Sequence, residues 1–252
     1  MLQIIYSDEH LVAINKPAGM LVHRTDLDAQ ETVFALQLLR DQLGRPVWPA
    51  HRLDKGTSGL LLFALSAEVA SALGQQFEQG LPRKRYRALV RGWPDAQGHI
   101  DHPLARDPDL PSAGQTRLES HTDWQRLARL SWPISSDPRH ADTRFSLIEA
   151  RPLTGRRHQI RRHLKHIAHP IVGDATHGKG PLNRSVAQFL GLQRLWLHGL
   201  SLALTHPVTQ EPLLLEAPLG PEWALLTQHG ICQDAELPID PAPPPPLKAS
   251  CP

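Results

Sequence analysis

The segment His51-Arg52-Leu53-Asp54-Lys55-Gly56-Thr57-Ser58-Gly59 gathers one acid, two cations, two hydroxyls and two glycines into nine positions. A carboxylate in such company can do acid–base or nucleophilic work, and the glycines let a ligand approach the backbone closely. The same composition also suits a polar turn in which Asp54 caps a neighbouring backbone group. A second concentration of chemistry runs from Arg151 to Gly173, which holds six Lys or Arg residues and no acid. Clustered cations of this kind attract phosphates, although they also suit a solvated basic face. Histidines 158, 163, 166 and 169 fall in the same stretch, and His163 with His166 would share one side of a helix. No cysteine or glutamate completes a metal-ligand pattern there, so no metal is expected, and the imidazoles are read as contacts to a phosphate-bearing partner or as packing groups.

The elements that must position these groups follow from periodicity. Residues 2–6 and 10–14 read as short strands around the turn Ser7-Asp8-Glu9. Asp28 followed by Glu31 marks a helix start, continued by Leu36, Leu39 and Leu43 to a stop at Gly44. Leu60 to Ala64 is a continuous apolar run, as in a buried strand. Ser66 caps a helix that reaches about Gln79 before Gly80 and Pro82. From Lys84 to Arg91 the chain alternates, with Tyr86, Ala88 and Val90 on one face and Arg85, Arg87 and Arg91 on the other, which predicts a half-exposed strand. Tyr86 read this way is an ordinary core tyrosine. Residues 94–142 are rich in Pro, Asp, His and Ser and read as irregular excursions with short strands. Phe145 to Ala150 and Leu195 to Leu204 read as strands. Arg156 to Ile167 reads as a helix with an apolar stripe of Ile160, Leu164 and Ile167. On that helix Arg157, Arg161 and Lys165 recur at spacing four, with His158 and Arg162 in a parallel row.

Strands and helices mix without regular βαβ alternation, so the expected class is α+β with a mixed, largely antiparallel sheet flanked by helices and loops. Residues 1–235 form the expected folded domain. From Glu236 to Pro252 seven of 17 residues are proline, and this tail is expected to stay outside the fold. The chain has 252 residues, 40% of them hydrophobic, and a net charge of +2. That allows a sizeable core and argues against global disorder. No apolar run is long enough to span a membrane and no secretory leader is legible, so a cytoplasmic protein without membrane association is expected. Only Cys232 and Cys251 occur, which does not suggest a disulfide framework.

His51-Arg52-Leu53-Asp54 followed by Thr57-Ser58-Gly59 resembles the active-site motif of the RluA-like pseudouridine synthases. Five further stretches resemble that family's motifs in the same order: Ile14-Asn15-Lys16-Pro17-Ala18-Gly19, Lys84-Arg85-Tyr86, Thr154 to Arg161, His169-Pro170-Ile171-Val172-Gly173-Asp174, and Leu197-His198 with His206-Pro207 beyond. Within the family, Arg161 to His166, His177-Gly178, Asn183-Arg184 and Gly191 to Leu195 are most similar to the TruC branch, which acts on uridine-65 of tRNA. With the first motif already at residue 14, the S4-like RNA-binding domain of several ribosomal members is not expected ahead of it. Lys55-Gly56 departs from the Arg-Pro familiar in that branch, and residues 106–142 align with no known segment.

The resemblance implies the pseudouridine synthase catalytic fold, an isomerase acting on RNA, no cofactor and no metal, and a monomer. It implies Asp54 as the catalytic aspartate, Tyr86 as the tyrosine beside the target base and Arg161 as the arginine that pairs with the aspartate. A carboxylate held ionised in a water-excluding pocket needs such a cation. Arg52 corresponds to the arginine that fills the space left by a flipped base, a planar group suited to stacking there; a salt bridge within the loop is the alternative. His51, Arg157, Arg162 and Lys165 are the remaining expected RNA contacts. Ribosomal RNA as substrate, and an RNA-binding module without catalysis, stay open as other readings at this point.

Overall fold

The structure is a computed structural model, and it describes residues 1–23, 32–135 and 141–228. In chain order the elements are β1 (Gln3–Ser7), β2 (Leu11–Lys16), α1 (Ala35–Leu43), β3 (Trp48–Pro49), β4 (Ser58–Ala64), α2 (Ala67–Glu78), β5 (Arg83–Arg91), β6 (Gln97–Asp101), β7 (Leu104–Ala105), β8 (Arg117–Leu118), β9 (His121–Trp132), β10 (Thr143–Pro152), α3 (Gln159–His166), α4 (Gly180–Leu190), β11 (Leu197–Thr205), β12 (Pro212–Glu216), a 3₁₀ turn (Pro221–Ala224) and α5 (Leu225–Gln228).

One large sheet runs in the order β1-β2-β4-β11-β5-β10-β9-β6, with β3 beside β4 and β12 beside β11. Every pairing is antiparallel except β4 with β11, where His198 lies opposite Ser58 and Gly199 opposite Gly59. After that short parallel contact β11 continues against β12, Ser201 opposite Glu216, while its other edge holds β5. β11 therefore joins the N-terminal strands to the remainder of the sheet. The class is α+β with a mixed, largely antiparallel sheet, as the lack of regular βαβ alternation implied.

Apolar residues on both faces explain how the sheet is covered. β4 is buried at all seven positions. Leu61 and Phe63 pack with Ala35 and Leu39 of α1, whereas Leu60, Leu62 and Ala64 pack with Val69 and Leu73 of α2. Across the other half, Ile160 and Leu164 of α3 pack on Ala88, Ile148 and Ala150, and Leu182, Val186 and Leu190 of α4 cover Leu130, Trp132 and Phe145 on the opposite face. Among the described residues no helix is long and apolar enough to cross a membrane.

Structure and expectation differ in three stretches. Within 94–135 the short strands expected among irregular excursions are β6 and the β7–β8 hairpin, but β9 runs for twelve residues, with Thr122, Trp124, Ala128, Leu130 and Trp132 buried between more exposed neighbours. β5 lies between β11 and β10 and is partly exposed from Lys84 to Arg87 but buried from Ala88 to Val90, with Arg85 held by Glu149 at 2.6 Å. The stretch from Gly180 to Leu190, unassigned from sequence, is α4, with Pro181 in its first turn and left-handed Gly191 closing it. The expected helix start at Asp28–Glu31, the two cysteines and the proline-rich tail lie outside the described residues.

Candidate active site

The loop that carries Asp54 ends where β4 begins, so a strand buried on both faces fixes its exit. The loop closes on itself through the Thr57 N–H, which donates to the Asp54 carbonyl at 3.0 Å. A second tether comes from the turn after β2. The Gly19 N–H donates to the Lys55 carbonyl at 2.8 Å, and the fully buried Lys16 ammonium donates to the carbonyls of Pro17, Met20 and Lys55 at 2.9, 2.8 and 3.3 Å. Burial pulls the Lys16 pKa down to about 7, against the opposing field of Asp54.

α3 supplies the cation. Its start is held by the buried amide of Gln159. The amide oxygen accepts from the Thr154 hydroxyl and the Arg156 N–H, and its nitrogen donates to the His121 carbonyl and Thr122 Oγ1, all within 3.1 Å. His158 enters the helix in the left-handed region at φ 55°, an uncommon conformation for a residue with a β-carbon. One turn in, Arg161 donates from Nη1 to Asp54 Oδ2 at 3.0 Å. Its Nε and Nη2 grip the two oxygens of Asp174 at 2.7 and 2.8 Å. Burial works against the Arg161 charge, but the Asp174 hydrogen bonds and both carboxylate fields outweigh it and raise its pKa. Asp174 is likewise penalised by burial, yet Arg161 and the His177 N–H hold its carboxyl below the ordinary value.

Asp54 Oδ1 is left facing His158, whose Nε2 lies 3.8 Å away, beyond hydrogen-bond range. His158 Nδ1 is 3.1 Å from His177 Nε2. Burial lowers the His158 pKa and takes that of His177 to about 4, so both rings are neutral. Tyr86 sits on β5 opposite Gly199 of β11, where a side chain would meet the ring. Burial, then the Asp54 charge, pushes the Tyr86 phenol up, so it stays protonated.

Two cavities meet at Asp54. One, of about 770 Å³, is bounded by Asp54, Lys84, Tyr86, Ile160 and Leu197. The other, of about 1500 Å³, is bounded by Asp54, Lys16, Ser58, Arg194 and Glu222. Arg52, Leu53, Asp54, Arg157, His158 and Arg161 border both. In the larger cavity a polar chain backs the loop. Glu222 pairs with Arg194, Arg194 donates to Ser58 Oγ at 2.7 Å, and Ser58 lies 2.8 Å from His198 Nδ1. His198 Nε2 faces the Ala217 carbonyl at 3.2 Å, so that nitrogen carries the proton and Nδ1 accepts from Ser58.

The expected site residues divide clearly. Asp54, Tyr86 and Arg161 converge. Arg52 is exposed at the rim of both cavities, with no ion-pair partner among the described residues. His51 turns inward: its Nε2 accepts the Leu62 N–H at 3.2 Å and its ring lies against Phe77. Arg157 is bound by Asp107 and Asp109, and Arg162 is half-buried and donates to the Ala105 carbonyl. Lys165 is exposed. His163 uses both ring nitrogens internally, toward Thr122 Oγ1 and the His102 carbonyl. Among the described residues no three His, Cys, Asp or Glu side chains converge as a metal site would need. Sequence reasoning gave Asp174, Lys16, His158 and His177 no place in the site, although all four lie in motifs already noted. The missing signal was the pairing partner, which only the fold supplies.

The arrangement is a carboxylate with one oxygen fixed by an immobilised guanidinium and the other facing His158 across 3.8 Å, beside a protonated phenol. It suits attack by, or proton removal to, a carboxylate on a bound ring or sugar. A family model described as RNA pseudouridylate synthase matches residues 10–166. The chain is 46% identical over 236 residues to tRNA pseudouridine synthase C of Vibrio cholerae, covering 91% of this chain and 96% of that protein, and 47% identical to the Yersinia pestis protein of the same name, covering 91% of each. Among solved structures, human RNA Pseudouridylate Synthase Domain Containing 1 superposes with a TM-score of 0.70 at 26% identity, over 93% of this chain and 90% of that one. Matched across its motif-bearing strands, loops and helix, the chain belongs to the RNA pseudouridylate synthase family.

Proposed function

We propose that this protein is a tRNA pseudouridine synthase that isomerises one uridine, uridine-65, to pseudouridine, with Asp54 as the catalytic carboxylate. The observation that carries this reading is the chain Asp174–Arg161–Asp54, which pairs a carboxylate with a guanidinium and orients it at the junction of two cavities. The tRNA substrate is supported by relatives named tRNA pseudouridine synthase C at 44–47% identity.

In the reaction the bond from ribose C1′ to uracil N1 breaks and a bond from C1′ to C5 forms. The C5 hydrogen leaves as a proton and N1 regains one, so no redox partner and no net hydrolysis are involved. Asp54 acts from Oδ1, the oxygen Arg161 leaves free. Tyr86 enters as a protonated phenol that can stack on uracil and donate a hydrogen bond; it can take the C5 proton only by passing its own on. Arg52, at the rim, fills the gap left by the extruded base, while Arg162 and Lys165 on α3 serve the backbone. The protein works as a cytoplasmic monomer, and residues 1–235 form its catalytic domain.

The test is tritium release from C5-labelled uridine in unmodified tRNA, without added metal. Wild-type release that disappears in Asp54→Asn is the expected result. Release from ribosomal RNA but not tRNA would reject the substrate assignment while keeping the chemistry. Tight RNA binding with no release from either would reject catalysis.

A further inference from the structure

Arg157 borders both cavities at Asp54, yet it is already engaged. Its Nη1 lies 3.3 Å from Asp107 Oδ1 and its Nη2 lies 2.5 Å from Asp109 Oδ2. Both acids belong to the β7–β8 hairpin, within the segment that aligns with no known family stretch. The hairpin tip is built to hold them in place. The Gln115 side chain accepts the Asp107 N–H at 2.8 Å and donates to the carbonyls of Asp107, Leu110 and Pro111 at 2.9, 3.2 and 2.9 Å. Asp107 Oδ1 also accepts the Asp109 N–H at 3.0 Å, so the first acid is oriented whether or not Arg157 is present. The base of the hairpin is fastened to α3 separately, through Arg162 and the Ala105 carbonyl. Asp109 reaches the cleft itself.

We propose that Asp107 and Asp109 are specificity-determining residues, acting as phosphate surrogates that occupy Arg157 until an RNA phosphate displaces them. The inference rests on the RNA-modifying reading above. A phosphate that takes Arg157 releases a cation condensed on the RNA, but the two carboxylates it displaces take up cations in exchange, so the swap adds little general, salt-driven affinity. Only an RNA that delivers a phosphate to Arg157 in the right geometry opens the pair. Unstructured RNA that merely seeks positive charge gains nothing from it, and the cleft discriminates by withholding a cation.

The experiment measures Kd for an unmodified tRNA transcript and for a uridine homopolymer over a range of salt concentrations. The proteins are wild type, Asp107→Asn/Asp109→Asn, Arg157→Gln, and the combined variant. Removing the two carboxylates is expected to tighten homopolymer binding by about fivefold, the scale of partly exposed ion pairs. It should also steepen the slope of log Kd against log salt by about 0.7, the value for one freed phosphate contact on a single strand. The preference for tRNA should shrink accordingly, and in the Arg157→Gln background the acid substitutions should change nothing. Unchanged Kd values, weaker binding of both RNAs, or the same gain in the Arg157→Gln background would overturn the proposal. Wild-type tritium release reports separately on the catalytic reading: RNA binding without release would reject that reading while leaving the surrogate acids fully tested, and no RNA binding at all would reject both.

Discussion

Asp174 reaches Arg161 with both carboxylate oxygens and exposes none of its side chain, so the arginine's direction is set before any substrate arrives. Asp174→Asn should therefore leave Arg161 buried beside one carboxylate instead of two. Breaking a buried pair of this kind costs about 3–5 kcal/mol. Denaturant unfolding of the variant would show the stability loss, and tritium release should fall even in material that remains folded. A folded variant with full activity would remove Asp174 from the mechanism. His177 invites a finer test. If its Nε2–H donates to His158 Nδ1, the proton of His158 must sit on Nε2, facing Asp54 Oδ1. His177→Gln keeps an N–H donor at that reach, whereas His177→Phe does not. The phenylalanine variant should lose roughly fivefold to tenfold in kcat/KM, the worth of one hydrogen bond, and the glutamine variant should retain most of it. Equal losses in both would show that His177 merely fills space. At this scale Asp54, Tyr86 and Arg161 were legible because their motifs mark them. Asp174 and His177 were not, since their importance lies in partners 13 and 19 residues away across a turn.

At the level of elements, close approach between β4 and β11 is what lets the Asp54 loop and the Tyr86 strand share a cavity. Gly59 has φ +109°, and a β-carbon there would lie 2.3 Å from the Gly199 carbonyl oxygen. Gly173 is tighter, with φ +80° and a β-carbon position 1.7 Å from the Arg194 carbonyl oxygen. Backbone atoms cannot step aside as a flexible side chain can, so Gly59→Ala and Gly173→Ala should each be severely destabilising, by about 3 kcal/mol or more. A thermal transition within a few degrees of wild type for either would mean the strands adjust more readily than their packing implies. β4, α2 and α3 were readable because their apolar periods are nearly uninterrupted. β9 escaped because Asp123, Gln125, Arg126 and Arg129 hide its alternation and its pairing with β10 shifts register between Leu147 and Ile148. α4 was legible in principle, since Leu182, Val186 and Leu190 are spaced by four and flanked by Pro181 and Gly191.

For the molecule as a whole, buried neutral histidines set an acid limit. His163, His177 and His198 are each buried, and burial takes each from an ordinary value of 6.5 to about 4. Their unfolded forms take up protons below about pH 6.5 while the folded forms do not until about pH 4, so their contribution is complete above 6.5 and is lost as pH falls toward 4. The loss is on the order of 2 kcal/mol per group by pH 5, which denaturant midpoints at pH 7.5 and pH 5 would reveal. A flat profile over that window would mean these rings are charged or reached by water in the folded state. The fold class was legible from the mixture of strand and helix periods. The order of strands was not, because it depends on which edges meet across long stretches of chain.

That order bears on how the enzyme comes into being. Asp54 and Arg161 are separated by 107 positions, and the strands that carry their surroundings meet through β11, which begins at Leu197. A chain emerging from its N-terminus thus completes every residue of the Asp174–Arg161–Asp54 chain before it makes the strand that docks the two halves of the sheet. Long-range closure of this kind is slow relative to local helix and hairpin formation. Secondary structure should return early in refolding and activity late, in step with the docking of β11, and a chain ending before Leu197 should contain all three of these residues and yet never bring them together.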